Sequence, residues 1–286
     1  MNLNNNTDLE PANFAVIGDP IEHSLSPLMH NAAFKYLGLN AKYQAIHVKK
    51  EELANFAREA EKKYKGVNVT VPHKNSIINH IHSVSKLAKI AESVNTIINK
   101  NGKLFGETTD GRGLELAIKD IFSINVKNKN IFFIGCGGAA RAVAIYFASI
   151  GVKSLFLTNR TIFKAQKTAE LIKNNFPDVD TSFCSINDIT TIKKNILKSD
   201  IIIQSTTLGL KKDDQSPLPE EFFFNDKIYY DMVYADTEFI KFAKRNKCPV
   251  ANGLSMLIYQ GAESFKLWTG IEAPVQIMKE AILNRK

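Results

Sequence analysis

The sequence predicts an α/β fold made of two α/β domains, and three observations carry that prediction. Short apolar, β-branched runs alternate with longer segments of helical period along the chain. The second half holds a strand, a glycine-rich turn and a helix opening in direct succession, "IFFIGCGGAARA". The 286 residues, 44% of them hydrophobic, suffice for one large domain or two of ordinary size.

In the first half, "NFAVIGDP" reads as a strand ending in a turn. "SPLMHNAAFKYLGL" reads as an amphipathic helix with Leu28, Ala32, Phe34 and Leu37 near one face, stopped by Gly38. "AKYQAIHV" is a strand, "KEELANFAREAEKKY" a helix and "GVNVTVP" another strand, with Val67, Val69 and Val71 alternating against Asn68, Thr70 and Pro72. A helix near 84–91, a hairpin at Asn101-Gly102 and a new helix close this half. The second half continues with "NIFFIG", the helix "AARAVAIYFASIG", "SLFLTNR", the helix "FKAQKTAELIKNNF", a strand near 181–184 and a helix near 186–197. The strands "DIIIQST" and "KIYYDMV" follow, and "GLSMLIYQGAESFKLWTG" and "APVQIMKEAILNR" are helical. This regular alternation implies parallel βαβ units and a doubly wound sheet. The boundary between the halves is expected near 110–130, with ligands in the cleft that two such domains commonly form.

The opening "MNLNNNTDLEP" is polar and reads as a frayed tail, with neither the apolar core nor the leading basic charges of a signal peptide. The longest apolar runs are strand-sized, far below the roughly 20 residues a membrane helix needs. A soluble, cytoplasmic protein is expected. Cys136, Cys184 and Cys248 are far apart and odd in number, without the spacing of a disulfide framework or a zinc site. His80 and His82 lie on a polar stretch and read as exposed histidines, so no metal is expected. The net charge of +8 is spread over lysines beside asparagines, which favours a solvated surface over a nucleic-acid stripe.

In the Gly-x-Gly-x-x-Ala turn, Gly135 allows the tight bend, Gly137 lets the backbone approach a diphosphate, and Ala140 permits close helix–strand packing. The helix N-terminus behind it favours an anion. The next strand ends in Asn159-Arg160-Thr161, with Lys164 one turn on. No carboxylate stands there for a ribose 2′-hydroxyl, and two cations stand where a 2′-phosphate would sit, which argues for NADP. An exposed helix lysine explains Lys164 equally well, so Arg160 is the stronger case. Cys136, at a helix N-terminus where a thiol pKa can fall, is read as a small residue filling a slot.

The first half offers a different chemistry. "HSLSP" puts Ser24 and Ser26 on a loop before a helix start, a good receptor for a carboxylate. Asn68 and Thr70 line the polar face of "GVNVTVPHK", which delivers Lys74. Asn95 lies in "SVNT", Asp110 in "GETTDGRG" and Gln260 on the helix "NGLSMLIYQGAESF". Serines, amides, a lysine and an aspartate suit a small polyhydroxylated acid.

These residues also carry a resemblance. The chain resembles shikimate dehydrogenases along nearly its whole length, through "GDPIEHSLSP", "GVNVTVPHK", "SVNT", "TTDGRG", "GCGGAARA", "TNRT", "DMVY" and "NGLSMLIYQGAESF" in that order. The resemblance implies a substrate-binding domain over 1–112, completed by C-terminal helices over 253–286, and a Rossmann-type NADP-binding domain over 113–252. It implies NADPH-dependent reduction of 3-dehydroshikimate to shikimate, on the route to aromatic amino acids, by a monomer or homodimer. It implies that Ser24 and Ser26 hold the substrate carboxylate, with Thr70 and Tyr234 close by, and that Asn68, Asn95, Asp110 and Gln260 bind ring hydroxyls. Lys74 and Asp110 would be the catalytic pair, with the choice of proton donor open between them. Gly135, Cys136, Gly137, Gly138 and Ala139 would cradle the diphosphate, and Asn159, Arg160, Thr161 and Lys164 the adenosine phosphate end. Thr206, Met232 and Gly253 would line the nicotinamide region.

The chain departs from the family pattern at four places. Thr108 stands where Asn is usual, Glu92-Ser93 where Gly-Ala is usual, and Lys164 where Arg is more frequent. The loop "ADTEF" after "DMVY" is short and lacks the customary proline. A quinate/shikimate type accepting NAD is the near rival, and the lack of an acidic residue beside Arg160 and Thr161 weighs against it. A catalytically silent, nucleotide- or nucleic-acid-binding homologue would be expected to have lost Lys74 or Asp110, and both are present.

Overall fold

The computed structural model describes residues 11–211 and 213–285. The expected tail therefore lies, apart from Pro11, outside the described residues. The chain forms two compact units, Met1–Gly113 with Ile258–Lys286, and Leu114–Leu257.

The first unit contains β1 (Ala12–Gly18), α1 (Ser26–Tyr36), β2 (Ala41–His47), α2 (Leu53–Lys63), β3 (Gly66–Val69), β4 (Ser83–Val84), α3 (Lys86–Ala91), β5 (Thr96–Lys100) and β6 (Lys103–Glu107). Next comes α4 (Asp110–Phe122), whose first turn belongs to this unit. Six strands among the described residues form a mixed sheet in the order β2-β1-β3-β5-β6-β4. β1 runs parallel to β2 and β3, whereas β5 is antiparallel to β3 and β6. The reversal is made at Asn101 and Gly102, both left-handed at φ 54° and 84°, as a two-residue hairpin turn requires. Val67, Val69, Ile97 and Leu104 pack on α2 residues Phe56, Ala57 and Ala60 to form a core on one face of this sheet.

Two local expectations need correction. α1 buries Met29, His30, Ala33 and Phe34, and leaves Leu28 43% exposed. The face that packs is the i, i+4 rows Met29–Ala33 and His30–Phe34, which admit a histidine because it stacks on rings. The strand of "GVNVTVP" ends at Val69, and Val71 is 68% exposed. The chain turns there, with the His73 N–H donating to Thr70 O at 2.9 Å. All four β3 residues are buried, so the polar alternation marks two covered faces.

The second unit continues with β7 (Asn130–Ile134), α5 (Gly138–Ser149), β8 (Ser154–Asn159), α6 (Ile162–Asn175), β9 (Asp180–Ser185), α7 (Ile189–Lys198), β10 (Ile201–Gln204), β11 (Ile228–Asp231), α8 (Glu238–Arg245) and β12 (Val250–Ala251). Its sheet is parallel throughout, in the order β12-β11-β10-β7-β8-β9. The order runs outward both ways from β7, which puts the topological switch point at the C-terminal ends of β7 and β10. Neither α8 nor β12 was anticipated, α8 because its charged segment "EFIKFAKR" follows a short loop.

α9 (Leu254–Thr269) begins in the second unit and ends in the first, and α10 (Val275–Leu283) packs on α1. The C-terminal helices therefore complete the first unit. Trp268 lies against Gly66, where a Cβ would overlap the indole, and its Nε1 donates to Ile97 O at 2.9 Å.

Ser85 caps α3 by accepting the Ala88 N–H at 3.2 Å, and Glu92 ends it in the left-handed region at φ 48°. That conformation costs an L-residue roughly 1 kcal/mol and costs glycine little. Glu92→Gly is therefore expected to raise stability by about 1 kcal/mol in urea denaturation. A lower midpoint at an unchanged slope would contradict this.

Candidate active site

The polar positions of the first unit are each fixed by a different element. Asn68 sits on β3, Asn95 just before β5, Asp110 at the start of α4, Gln260 on α9, and Lys74 in the turn after β3. Four of them meet. Lys74 Nζ donates to Asp110 Oδ2 at 2.6 Å, and the two side chains are only 16% and 5% exposed. Asn95 Nδ2 faces Asp110 Oδ1 at 2.9 Å, Thr109 Oγ1 at 2.9 Å and Gln260 Oε1 at 3.1 Å. Asp110 opens α4, in the first turn of the helix. The Lys74 backbone is held as well, its carbonyl accepting the Val94 N–H at 2.8 Å while Asn75 Nδ2 donates to Glu92 O at 2.9 Å.

Asn68 is tied into the same network. Its Nδ2 lies 3.0 Å from Asn95 O, 3.2 Å from Thr96 Oγ1 and 3.0 Å from Ser264 Oγ, and its Oδ1 accepts the Tyr43 hydroxyl at 2.7 Å. A backbone carbonyl can only accept, so Asn95 O fixes which way this amide points, and Tyr43 must donate. Each asparagine thus sets two amide hydrogens against three acceptors. Asn95 Oδ1 is also occupied, accepting the Thr109 N–H at 2.8 Å. An ammonium has three N–H bonds, and Asp110 takes one of those on Lys74. The arrangement can present a polarised, oriented cation to an oxygen atom.

Ser24, Ser26 and Thr70 belong to the same unit but are held by other bonds. Ser24 Oγ accepts the Ser26 N–H at 3.4 Å where α1 begins, and the Thr70 N–H donates to Ile17 O at 2.9 Å. Tyr43, clamped through its backbone by Asn31 at 2.8 Å on both sides, stacks on His30 with ring centroids 4.4 Å apart. Burial depresses the His30 pKa to about 3, so the ring is neutral. Burial raises the Tyr43 phenol well above its usual range, against an opposing hydrogen bond from Ser26, which keeps it a donor.

In the second unit the glycine loop lies at the switch point. Gly135 is left-handed at φ 104°, and a Cβ there would press on Ser205 and Thr206 at 3.0 Å. Gly137 caps α5 and faces open space, since a Cβ there would meet nothing within 4 Å. Protein packing therefore does not demand glycine at 137. A cradle for a diphosphate does, so the residues fit a dinucleotide. Asn159 braces the loop, accepting the Cys136 N–H at 3.1 Å and donating to Thr161 O at 2.9 Å. Arg160, Thr161 and Lys164 are exposed around the start of α6. Burial pushes the Cys136 thiol up to about 12, against the opposing charge of Arg141, the environment of a buried, unreactive thiol. Thr206 follows β10, Met232 follows β11, and the Gly253 N–H donates to Val233 O at 3.1 Å.

Comparison with known proteins now decides the family. Residues 16–97 match the family described as "Shikimate dehydrogenase substrate binding domain", residues 115–211 that described as "Shikimate / quinate 5-dehydrogenase", and residues 253–283 that described as "Shikimate 5'-dehydrogenase C-terminal domain". The shikimate dehydrogenase (NADP(+)) of Alkaliphilus oremlandii is 38% identical over 276 residues, covering 94% of this chain and 96% of that protein. The chain belongs to the shikimate dehydrogenase family. The crystal structure of the shikimate 5-dehydrogenase of Listeria monocytogenes, in complex with shikimate and NAD, superposes with a TM-score of 0.90 at 34% identity, covering 95% of this chain and 96% of that one. The Thermus thermophilus enzyme, in complex with NADP(H) and shikimate, gives 0.84 at 34% identity, with 94% and 98% covered.

Within this family member, Tyr234 is 49% exposed and belongs to the second unit, apart in sequence from Ser24, Ser26 and Thr70 of the first. Sequence reasoning missed Tyr43, Thr96, Thr109 and Ser264. A signal existed for Ser264, which lies one helical turn after Gln260 on α9 and so shares its face. None existed for Tyr43, which reaches Asn68 across β1.

Asp231 was also missed. Burial raises its pKa from 3.8 to about 6, against the opposing hydrogen bonds of Thr237 and Val233. The folded chain then binds this proton more tightly than the unfolded chain does. Burying the charge costs stability above about pH 6, on the order of 3 kcal/mol, and the cost vanishes as the pH falls below about 4. Asp231→Asn is uncharged throughout, so its melting temperature should gain on the parent as pH rises from about 4.5 to 8. A difference independent of pH would contradict the burial argument.

Proposed function

We propose that the chain catalyses the reversible, NADP-dependent interconversion of 3-dehydroshikimate and shikimate in aromatic amino-acid biosynthesis. The observation that carries the reading is the buried Lys74–Asp110 pair at 2.6 Å, in a family whose members bear this activity in name. Reduced NADP, when bound, supplies the hydride. The chain's own residues do the rest. Ser24 and Ser26 hold the substrate carboxylate with Thr70 and Tyr234, and Asn68, Asn95 and Gln260 fix the ring hydroxyls. Asn68 and Asn95 have both their amide hydrogens and their Oδ1 atoms engaged within the protein, so they meet the substrate by exchanging one of these bonds.

Negative charge grows on the substrate oxygen as its carbonyl is reduced. The Lys74 ammonium stabilises that charge and delivers the proton. Asp110 orients the ammonium through Oδ2, and Asn95 orients Asp110 through Oδ1. In the oxidative direction the same pair receives the proton from the hydroxyl. Gly135, Cys136, Gly137, Gly138 and Ala139 cradle the diphosphate by backbone N–H groups at the start of α5. Asn159, Arg160, Thr161 and Lys164 receive the 2′-phosphate, with Arg160 as its bidentate reader. Thr206, Met232 and Gly253 line the nicotinamide. The enzyme works in the cytoplasm as a monomer or homodimer, without nucleic acid or membrane; among the described residues no helix is long and apolar enough to cross one.

Lys74→Ala should lower kcat by about a thousandfold or more while NADP⁺ still binds in calorimetry. Turnover at the parental rate would remove Lys74 from the mechanism. Arg160→Ala should raise the KM for NADP⁺ by about ten- to a hundredfold and leave that for NAD⁺ within about threefold. Equal effects on the two cofactors would show that Arg160 does not read the 2′-phosphate.

A further inference from the structure

We propose that Asp231, acting through Thr237, is a positioning residue for the two loops of the second unit assigned to the nicotinamide; this rests on the reading under Proposed function. Asp231 ends β11 and is fully buried. Its Oδ1 accepts the Val233 N–H at 2.9 Å and its Oδ2 the Thr237 hydroxyl at 2.6 Å. Neither donor is a cation. A carboxylate without a cation is a costly way to satisfy a buried loop, and a neutral acceptor would serve a loop that needed only to be capped. What the carboxylate provides is two strong bonds to two points of one short segment, which fix Met232–Asp236 between them.

Thr237 passes that restraint on. Its hydroxyl donates to Asp231 and accepts the Ile240 N–H at 3.2 Å, so both the rotamer and the start of α8 are set. Its Cγ2 methyl then lies against Gly209, where any Cβ would collide and where φ is 101°. The Gly209 N–H is held from the other side by Asp214 Oδ2 at 2.9 Å. Between Gly209 and β10, Gln204 closes the loop, with Oε1 accepting the Thr206 N–H at 2.5 Å and Nε2 donating to Leu208 O at 2.9 Å. The Gln204 carbonyl also accepts the Met232 N–H at 2.8 Å, and Gly253 approaches the Met232 carbonyl so closely that a Cβ would overlap it. Thr206, Met232 and Gly253 therefore hang on one buried constellation of Gln204, Asp231 and Thr237. The loop after "DMVY" is short, which brings Thr237 within reach of Asp231 over six residues.

The test uses the full-length chain with Asp231→Asn, Thr237→Val and Thr237→Ser. NADP⁺ binding is read by calorimetry without substrate, and kcat and both KM values by initial rates. For Asp231→Asn and Thr237→Val the expected result is an NADP⁺ Kd raised about fivefold and kcat lowered about tenfold, with the shikimate KM within about twofold of the parent. Thr237→Ser keeps the hydroxyl and should stay within about threefold of the parent on every measure. Asp231→Asn should melt no lower than the parent at about pH 8, which separates positioning from mere loss of fold. Parental Kd and kcat in both disruptive variants would overturn the proposal, as would losses that only track a fall in melting temperature. If the parent binds NADP⁺ but turns over no shikimate, the functional reading fails, and the Kd values alone decide for or against the restraint. If the parent binds no NADP⁺, both fall together.

Discussion

Burying a carboxamide without partners costs on the order of 1–3 kcal/mol, and among the described residues of the first unit Asn68, Asn95 and Asn99 are buried, the first two in the network with Lys74 and Asp110. Much of that unit's arrangement follows from satisfying them. Asn68 needs Tyr43 on β2 and Ser264 on α9; Asn95 needs Thr109, Asp110 and Gln260. The C-terminal helix has to return to the first unit because two of these partners lie on it. The same bonds deliver Asp110 Oδ1 to Asn95 and leave Oδ2 for Lys74, so a packing requirement and a catalytic requirement are met by one set of contacts. Such a fully connected polar network rigidifies the groups in it, and partial satisfaction would be worse than an apolar core.

The second unit solves a related problem at the C-terminal ends of its parallel strands. There the backbone must leave the sheet, turn and remain open to a ligand. Gly135 turns in a conformation that other residues resist, and a Cβ at Gly137 would meet none of the described residues within 4 Å. Asn159, Gln204 and Asp231 stand at the ends of β8, β10 and β11 and bind the loops that follow or adjoin them. Three polar residues at three strand ends thus give irregular segments a fixed shape.

Much of this was legible in the sequence because it depends on local pattern. Hydrophobic periodicity located most strands and helices, Asn101-Gly102 located the hairpin, and the glycine turn located the cofactor loop. Lys74, Asp110, Asn95 and Gln260 were picked out by residue type and neighbours, and the structure joins them by hydrogen bonds. What stayed hidden depends on contacts distant along the chain. The buried face of α1 includes His30 rather than Leu28 because its surroundings are the rings of Tyr43, Phe265 and Trp268. β3 reads as a half-solvated strand only until α9 covers its second face. Glu92 shows a third case. Its departure from the family's glycine is visible in the sequence, but its meaning, a left-handed residue whose carbonyl holds the segment carrying Lys74, needs the backbone angles.

The central claim is that this chain is an NADP-dependent shikimate dehydrogenase. Its most direct test is the initial rate of nicotinamide reduction, followed by absorbance, with shikimate or quinate and with NADP⁺ or NAD⁺ in all four combinations. The account predicts turnover with shikimate and NADP⁺ at a kcat/KM well above the other three. Preference for quinate and NAD⁺, or no turnover in any combination, would contradict it.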